Sequence, residues 1–383
     1  MKHNIELLKW HTFFTDLIFY APVAVLYFSK ISGSFALGMS IFSIVTISSA
    51  FLEIPTGIFS DMIGRKKTVV VGSLAAILGA IFYAVGSSFI ILSVGSLFMG
   101  FARAFYSGNN DALLYDTLSE KNKTDEFAEF SGKISRMSQI ALAVSAILAV
   151  VVLFRGQLSW LVWLSVIPQV ICLFIALFLR EPKVRSEKSG NIYGNLKEAY
   201  RGFLKSEKLR LLSLSSIIGD GLGEASYQFQ AAFYQLVWPA WALPLAKVSS
   251  NVLAAIGFHY SGRLIKKVDA VKALFAHNAA SRALNSVAVI FPSIFSPILM
   301  SLTSLGYGVA TTARSTLMQK EFSNEQRATM GSLNSFAGSL FFGIVAFLLG
   351  FAADKLTPAY AILILQAFQL INLLVYVKLF RLR

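Results

Sequence analysis

The stretch Phe51-Leu52-Glu53-Ile54-Pro55-Thr56-Gly57-Ile58-Phe59-Ser60-Asp61-Met62-Ile63-Gly64-Arg65-Lys66-Lys67 stands between two long apolar runs, near 35–59 and 68–87. Asp61 lies four residues before Arg65, which places both charges at one end of the two runs. Gly64 permits a tight turn there, and Gly57 allows another helix to approach closely. The rest of the chain has the same apolar character. Of its 383 residues, 56% are hydrophobic and 14% charged, with a mean hydropathy of +0.65. A soluble domain has roughly 45–50% apolar and about 25% charged residues. A hydrocarbon core about 30 Å thick needs about 20 apolar residues per helix. The composition therefore predicts an all-α integral membrane protein and leaves no room for a large soluble catalytic domain.

Apolar runs divided by polar or Gly/Pro breaks give twelve expected transmembrane helices, near 10–28, 35–59, 68–87, 89–115, 131–153, 159–179, 211–236, 240–264, 271–290, 296–318, 328–352 and 357–379. Alternating the connecting loops between the two sides places 26 of the 34 Lys and Arg residues on one side, and the other holds only Lys30, Arg155 and Lys355. Basic loops stay in the cytoplasm, so both termini are expected there and the protein in the inner (cytoplasmic) membrane. Lys2 and Lys9 precede an apolar stretch that carries Asp16 and Pro22 and has no small-residue cleavage site, so a retained first span is expected. The longest connection, about Arg180 to Arg210, carries nine basic residues and an amphipathic piece around Leu196 to Leu204, and it reads as an anchor on anionic headgroups. The expected organisation is a first half at 1–182, a basic linker at 183–209 and a second half at 210–383.

Several chemistries are excluded. The single cysteine, Cys172, and four scattered histidines, His3, His11, His259 and His277, assemble neither a disulfide framework nor a metal site. The net charge of +14 comes without a basic stripe or nucleic-acid motif, so no nucleic-acid partner is expected. The sequence has no Gly-x-Ser-x-Gly, no His-Glu-x-x-His and no Gly-x-x-x-x-Gly-Lys-Ser/Thr. Neither an enzyme nor a built-in ATP motor is expected, and no cofactor.

Gly57-x-x-x-Asp61-x-x-Gly64-Arg65-Lys66 resembles the signature loop of the major facilitator superfamily, in the place where that family carries it. The resemblance implies two pseudo-symmetric six-helix bundles. It also implies a gating role for Gly57, Asp61, Gly64, Arg65, Lys66 and Asp116, as a latch closing the inner gate. At an exposed surface such a pair is worth about 0–1 kcal/mol. Ala255-x-x-x-His259-x-x-Gly262-Arg263 resembles a degraded second copy, with His259 in the aspartate's place. Glu53-Ile54-Pro55-Thr56-Gly57, Ala112 to Asp116 and Gln326 to Thr329 resemble a bacterial branch that includes tetracycline-efflux-type members. Two departures stand out. Ala141 to Val152 lacks the glycine and proline that antiporters of the family carry in span five, and Arg103 is followed by Ser107 where glycine is usual.

Charges inside a bilayer cost several kcal/mol and mark functional sites by default. Asp16 and Glu53 are each about six residues from a span's inner end, roughly 9 Å deep at 1.5 Å per residue, where they could share a proton. Arg103, Ser107, Asn110 and Asp111 form a polar stripe on span four, with Arg136 on span five and Tyr20 one turn above Asp16. Asp220, Glu224 and Gln228 repeat at i, i+4 and i+8 on span seven, and Asn278, Arg282 and Asn285 line span nine. The expected function is proton-coupled secondary transport by alternating access around a central cavity, exporting a small amphipathic or cationic compound. Import of a small organic anion by proton symport and flipping of a lysolipid or lipid are the alternatives. The expected partners are a small-molecule substrate, protons and membrane lipids, and a monomer is expected.

Overall fold

The computed structural model describes residues 2–183, Phe203, 206–321 and 327–382. The helices are α1 (Lys2–Asp16), α2 (Ala24–Ser32), α3 (Phe35–Ile63), α4 (Arg65–Ala84), α5 (Phe89–Tyr106), α6 (Asn109–Ser119), α7 (Phe127–Arg155), α8 (Leu158–Leu164), α9 (Val166–Phe178), α10 (Glu207–Tyr234), α11 (Leu243–Val268), α12 (Ala270–Ile290), α13 (Ser296–Glu321), α14 (Arg327–Lys355) and α15 (Pro358–Arg381). Short 3-10 turns precede α2, α7 and α11, and no strand occurs among the described residues.

Nine stretches among the described residues are long and apolar enough to cross a membrane. Five of them join broken helices or a 3-10 turn: His3–Ser32, Phe89–Ser119, Thr124–Arg155, Leu158–Phe178 and Ala240–Val268. α10, α12 and α13 are not among the nine, although they are 28, 21 and 26 residues long. These three carry Asp220, Glu224, Arg282 and Arg314, so their polarity and the charged site of the second half have one origin.

The chain divides into two compact units, Met1–Gly33 with Ser40–Lys188, and Ser34–Met39 with Ser189–Arg383. Most of the expected linker lies outside the described residues, as does Gln326. In the first unit, Ile5, Leu8, Val69, Leu113, Leu114, Leu118, Ala176 and Leu179 form a buried cluster drawn from α1, α4, α6 and the end of α9. In the second, Leu212, Val271, Leu274, Ala313, Tyr376 and Leu379 do the same for α10, α12, α13 and α15. Large apolar side chains such as Phe154, Phe178 and Leu374 are about two-thirds exposed, as expected of surfaces that face lipid rather than water. Helices approach through small residues: at Gly257 a Cβ would run into the Leu305 carbonyl, so α11 and α13 touch backbone to backbone.

Two expected spans are broken near their charges. Span one stops at Asp16 and resumes through a 3-10 turn at Ala21–Val23, where Pro22 cannot donate an N–H. Span four stops at Tyr106 and restarts at Asn109 after Gly108, whose φ is +67°. Two expectations built on continuous helices are therefore corrected. Tyr20 does not sit one turn above Asp16 on a shared face but is buried against Phe28 and Tyr83. Asn110 and Asp111 belong to a new helix and do not extend the stripe of Arg103.

The signature stretch turns at Gly64, with φ at +104°, between α3 and α4. Among the described residues no atom lies within 4 Å of a Cβ built on Gly57, so none of them makes the close approach expected there. Its degraded second copy does not form the corresponding turn: α11 runs through His259 and Gly262 to Val268. The turn falls at Asp269, with φ at +76°, and the Asp269 carboxylate caps α12 by accepting from the Val271 and Lys272 N–H groups.

Candidate functional site

The break in span one leaves backbone groups without helical partners, and in an apolar surrounding each needs another. Ser165, at the junction of α8 and α9, accepts from the Phe19 N–H at 2.9 Å. Ser145 of α7 donates to the Ile18 carbonyl at 2.5 Å, and Gln169 of α9 donates to the Thr15 carbonyl at 3.4 Å. These polar side chains hold the break in place and with it Asp16, the last residue of α1. The Asp16 carboxylate lies within electrostatic reach of Ser138 on α7 and of Arg103 on α5. Glu53 of α3 accepts from Ser107 at 2.8 Å, one turn beyond Arg103. Two carboxylates from α1 and α3 thus meet the same end of α5. Glu53 and Arg103 are exposed, as are Asp111 on α6 and Arg136 on α7, while Asp16 and Asn110 are half-buried.

The signature loop forms a second cluster in this unit. Arg65 pairs with Asp61 at 2.8 Å and with Asp116 of α6 at 3.3 Å. It also donates to the Ser60 hydroxyl at 2.7 Å, and Ser60 donates to Asn109 Oδ1 at 2.5 Å. Asn109 Nδ2 closes the ring on the Arg65 carbonyl at 3.2 Å. Asp116, expected at an exposed surface, is 1% exposed, and Ser60 and Asn109 beside it are buried, while Asp61 is exposed. Glu181, which the sequence reading passed over, accepts from the Arg65 and Lys66 N–H groups at 2.7 and 2.8 Å and so caps α4. A Cβ on Gly64 would meet that carboxylate at 2.6 Å, which gives Gly64 a second reason besides its positive φ. Pro182 follows Glu181 at the end of span six, and that acid beside a helix-ending proline was the available signal.

In the second unit Asp220 and Glu224 stand on α10, Arg282 on α12 and Arg314 on α13. Arg314 pairs with Asp220, and Ser216 donates to the same carboxylate at 2.8 Å. The Arg314 guanidinium lies against the backbone of Gly219, beside the amide of Asn372 on α15. Glu224 is exposed and accepts from Gln228 at 2.7 Å. Lys247 of α11, left without a role by the sequence, is buried; it donates to the Tyr227 carbonyl at 2.5 Å and stands over that ring at 2.9 Å. Arg282 of α12 is half-buried and its fellow Asn285 is buried; the Arg282 Nε and the Asn285 Oδ1 have no hydrogen-bond partner among the described residues. Asp220, Glu224 and Gln228 thus lie on α10 and Asn278, Arg282 and Asn285 on α12, and Asp220 is engaged by a residue of span ten.

The family model of the Major Facilitator Superfamily matches residues 12–346. An uncharacterized transporter of Buchnera aphidicola subsp. Acyrthosiphon pisum is 30% identical over 149 residues, 38% of this chain and 35% of the relative. The match thus spans about a third of that relative's length. Among solved structures, the nucleoside transporter NupG superposes with a TM-score of 0.83 at 13% identity, covering 99% of each chain. A POT family transporter in complex with 5-aminolevulinic acid gives 0.76 at 13% identity, covering 98% of this chain and 95% of its own. At such identities the likeness is one of fold. The chain has the multi-pass apolar helices of a membrane transporter and belongs to the Major Facilitator Superfamily.

Proposed function

We propose that this transporter is a secondary active carrier that couples proton movement to the passage of a small molecule by alternating access, with Asp16 and Glu53 as its proton-binding groups. The observation that carries the reading is the Ser107–Glu53 hydrogen bond at the broken end of span four, one turn from Arg103, whose charge acts on Asp16. An acid that exchanges a hydroxyl or guanidinium partner for a proton changes the relative stability of two states, which coupling requires. The Arg65 cluster is the gating element in this reading, and the second unit carries the substrate-facing groups.

Two substrate readings divide on sign. Export of an amphipathic or cationic compound rests on the exposed acids Glu53, Asp111 and Glu224 and on the tetracycline-efflux-type resemblance. Proton symport of a small organic anion is favoured by a specific observation: on α10, α12 and α13 the guanidiniums of Arg282 and Arg314 face one engaged acid, Asp220.

The test is reconstitution into liposomes with an internal pH dye, in which substrates of either sign are added and proton flux is recorded. Substrate-dependent flux in the wild type, lost in Glu53→Gln and Asp16→Asn, is the expected result. Its direction distinguishes antiport from symport. Transport that proceeds without any proton flux would reject the coupling.

A further inference from the structure

Two guanidiniums on neighbouring helices of the second unit make unequal connections. Arg314 has the Asp220 carboxylate, and that carboxylate is itself 59% exposed at its side chain, with Ser216 as its other partner. Arg282 has no acidic partner among the described residues, and the Nε atoms of Arg282 and Arg314 are both buried without a hydrogen bond. A half-buried guanidinium with an enclosed Nε and no acidic partner among the described residues is unfavourable in an apolar surrounding, and a fold under no other demand would replace it with an apolar residue.

The groups around them are acceptors and donors without charge. Tyr376 of α15 lies within electrostatic reach of both guanidiniums, and His277 of α12 likewise, its ring 3.3 Å from the Ser281 hydroxyl. On α15, Gln366, Gln369, Asn372 and Tyr376 are all buried on one face. Gln369 donates to the Leu222 carbonyl, while both amide atoms of Gln366 and the Oδ1 of Asn372 have no partner among the described residues. Lys247 adds a third buried base to the unit, held by Tyr227, and Glu224 is exposed and bonded by Gln228. The unit therefore presents an excess of positive charge with unfilled polar valences, which suits an anion and repels a cation. Arginine's planar fork matches a carboxylate or phosphate through paired hydrogen bonds.

We infer that Arg282 and Arg314 form the binding site for the carboxylate or phosphate of a small organic anion, with Asp220 occupying Arg314 until that anion arrives. This rests on the transporter reading above and decides its substrate class. Arg282 is the anchoring residue, and Asp220 is a competitor within the site.

The test measures binding without transport. Purified full-length protein is unfolded thermally in the presence of benzoate, inorganic phosphate or tetraphenylphosphonium at constant ionic strength. Benzoate or phosphate is expected to raise Tm saturably, and tetraphenylphosphonium is not. Asp220→Asn should lower the half-saturating anion concentration about tenfold by freeing Arg314. Arg282→Gln should abolish the anion response and raise the anion-free Tm by a few degrees, because it removes an uncompensated charge. Arg282→Lys keeps the charge without the fork, so it should fold and bind at least tenfold more weakly. An anion-free Tm that falls in Arg282→Gln, an anion response that survives there, or saturable protection by tetraphenylphosphonium alone would overturn the assignment. Anion binding as expected, combined with no proton flux in liposomes, would retain this site and reject the proton coupling.

Discussion

Asp116 shows how one residue changes meaning when its burial is known. At an exposed surface its pair with Arg65 would contribute about 0–1 kcal/mol, and its loss would be hard to measure. Buried at 1% exposure, it leaves a guanidinium without its enclosed partner when removed, and breaking such a pair costs about 3–5 kcal/mol. Asp116→Asn is therefore expected to lower the thermal stability of the purified protein markedly, while Asp61→Asn, whose carboxylate is 68% exposed, is expected to leave it within error. A thermal-shift comparison of the two variants checks this, and equal losses would contradict the burial argument. The residue types of this cluster were legible in the sequence, because Asp61, Gly64 and Arg65 are neighbours in the chain. Glu181 and Asn109 were not, since they reach the loop from more than a hundred and more than forty positions away.

At the scale of elements, hydropathy locates spans but says little about where a span is broken. Span one carries Pro22, yet α1 ends six residues earlier, and the reason lies in other helices: Ser145, Ser165 and Gln169 accept or donate the hydrogen bonds that the missing helical turn would have made. The break is thus specified by residues more than a hundred positions downstream, beyond the reach of any local pattern. Ser165→Ala leaves the Phe19 N–H without its acceptor in an apolar setting, at a cost of about 1–3 kcal/mol. The expected outcome is a lowered Tm together with a weakened response to protons, because the position of Asp16 depends on the same break. Ser165→Thr, which keeps the hydroxyl, should retain most of both. Measuring Tm and pH-dependent flux on the two variants separates lost packing from a lost hydrogen bond. The three helices that fall short of the apolarity of a span, α10, α12 and α13, make the complementary point: twelve apolar runs were visible in the sequence, and the least apolar of them carry the charged groups of the second unit.

For the whole molecule, the strongest physical statement made by the sequence is the uneven distribution of Lys and Arg between alternate loops. It predicts sidedness because translocating a basic loop is opposed by the membrane potential and by anionic headgroups. The helix order supports a direct test. The single cysteine, Cys172, is fully buried, so the wild-type protein should not react with a membrane-impermeant maleimide in intact cells and needs no cysteine-free background. Lys30, at the end of α2, and Leu356, just after α14, are exposed at loops expected outside. Lys121, after α6, and Lys266, in the last turn of α11, are exposed at loops expected inside. Lys30→Cys and Leu356→Cys should label in intact cells, whereas Lys121→Cys and Lys266→Cys should label only after permeabilisation. Labelling of all four from outside would contradict the alternation. Reversal of the pattern would invert the orientation, placing Asp16 and Glu53 near the outer surface and turning the Arg65 cluster into an outer latch.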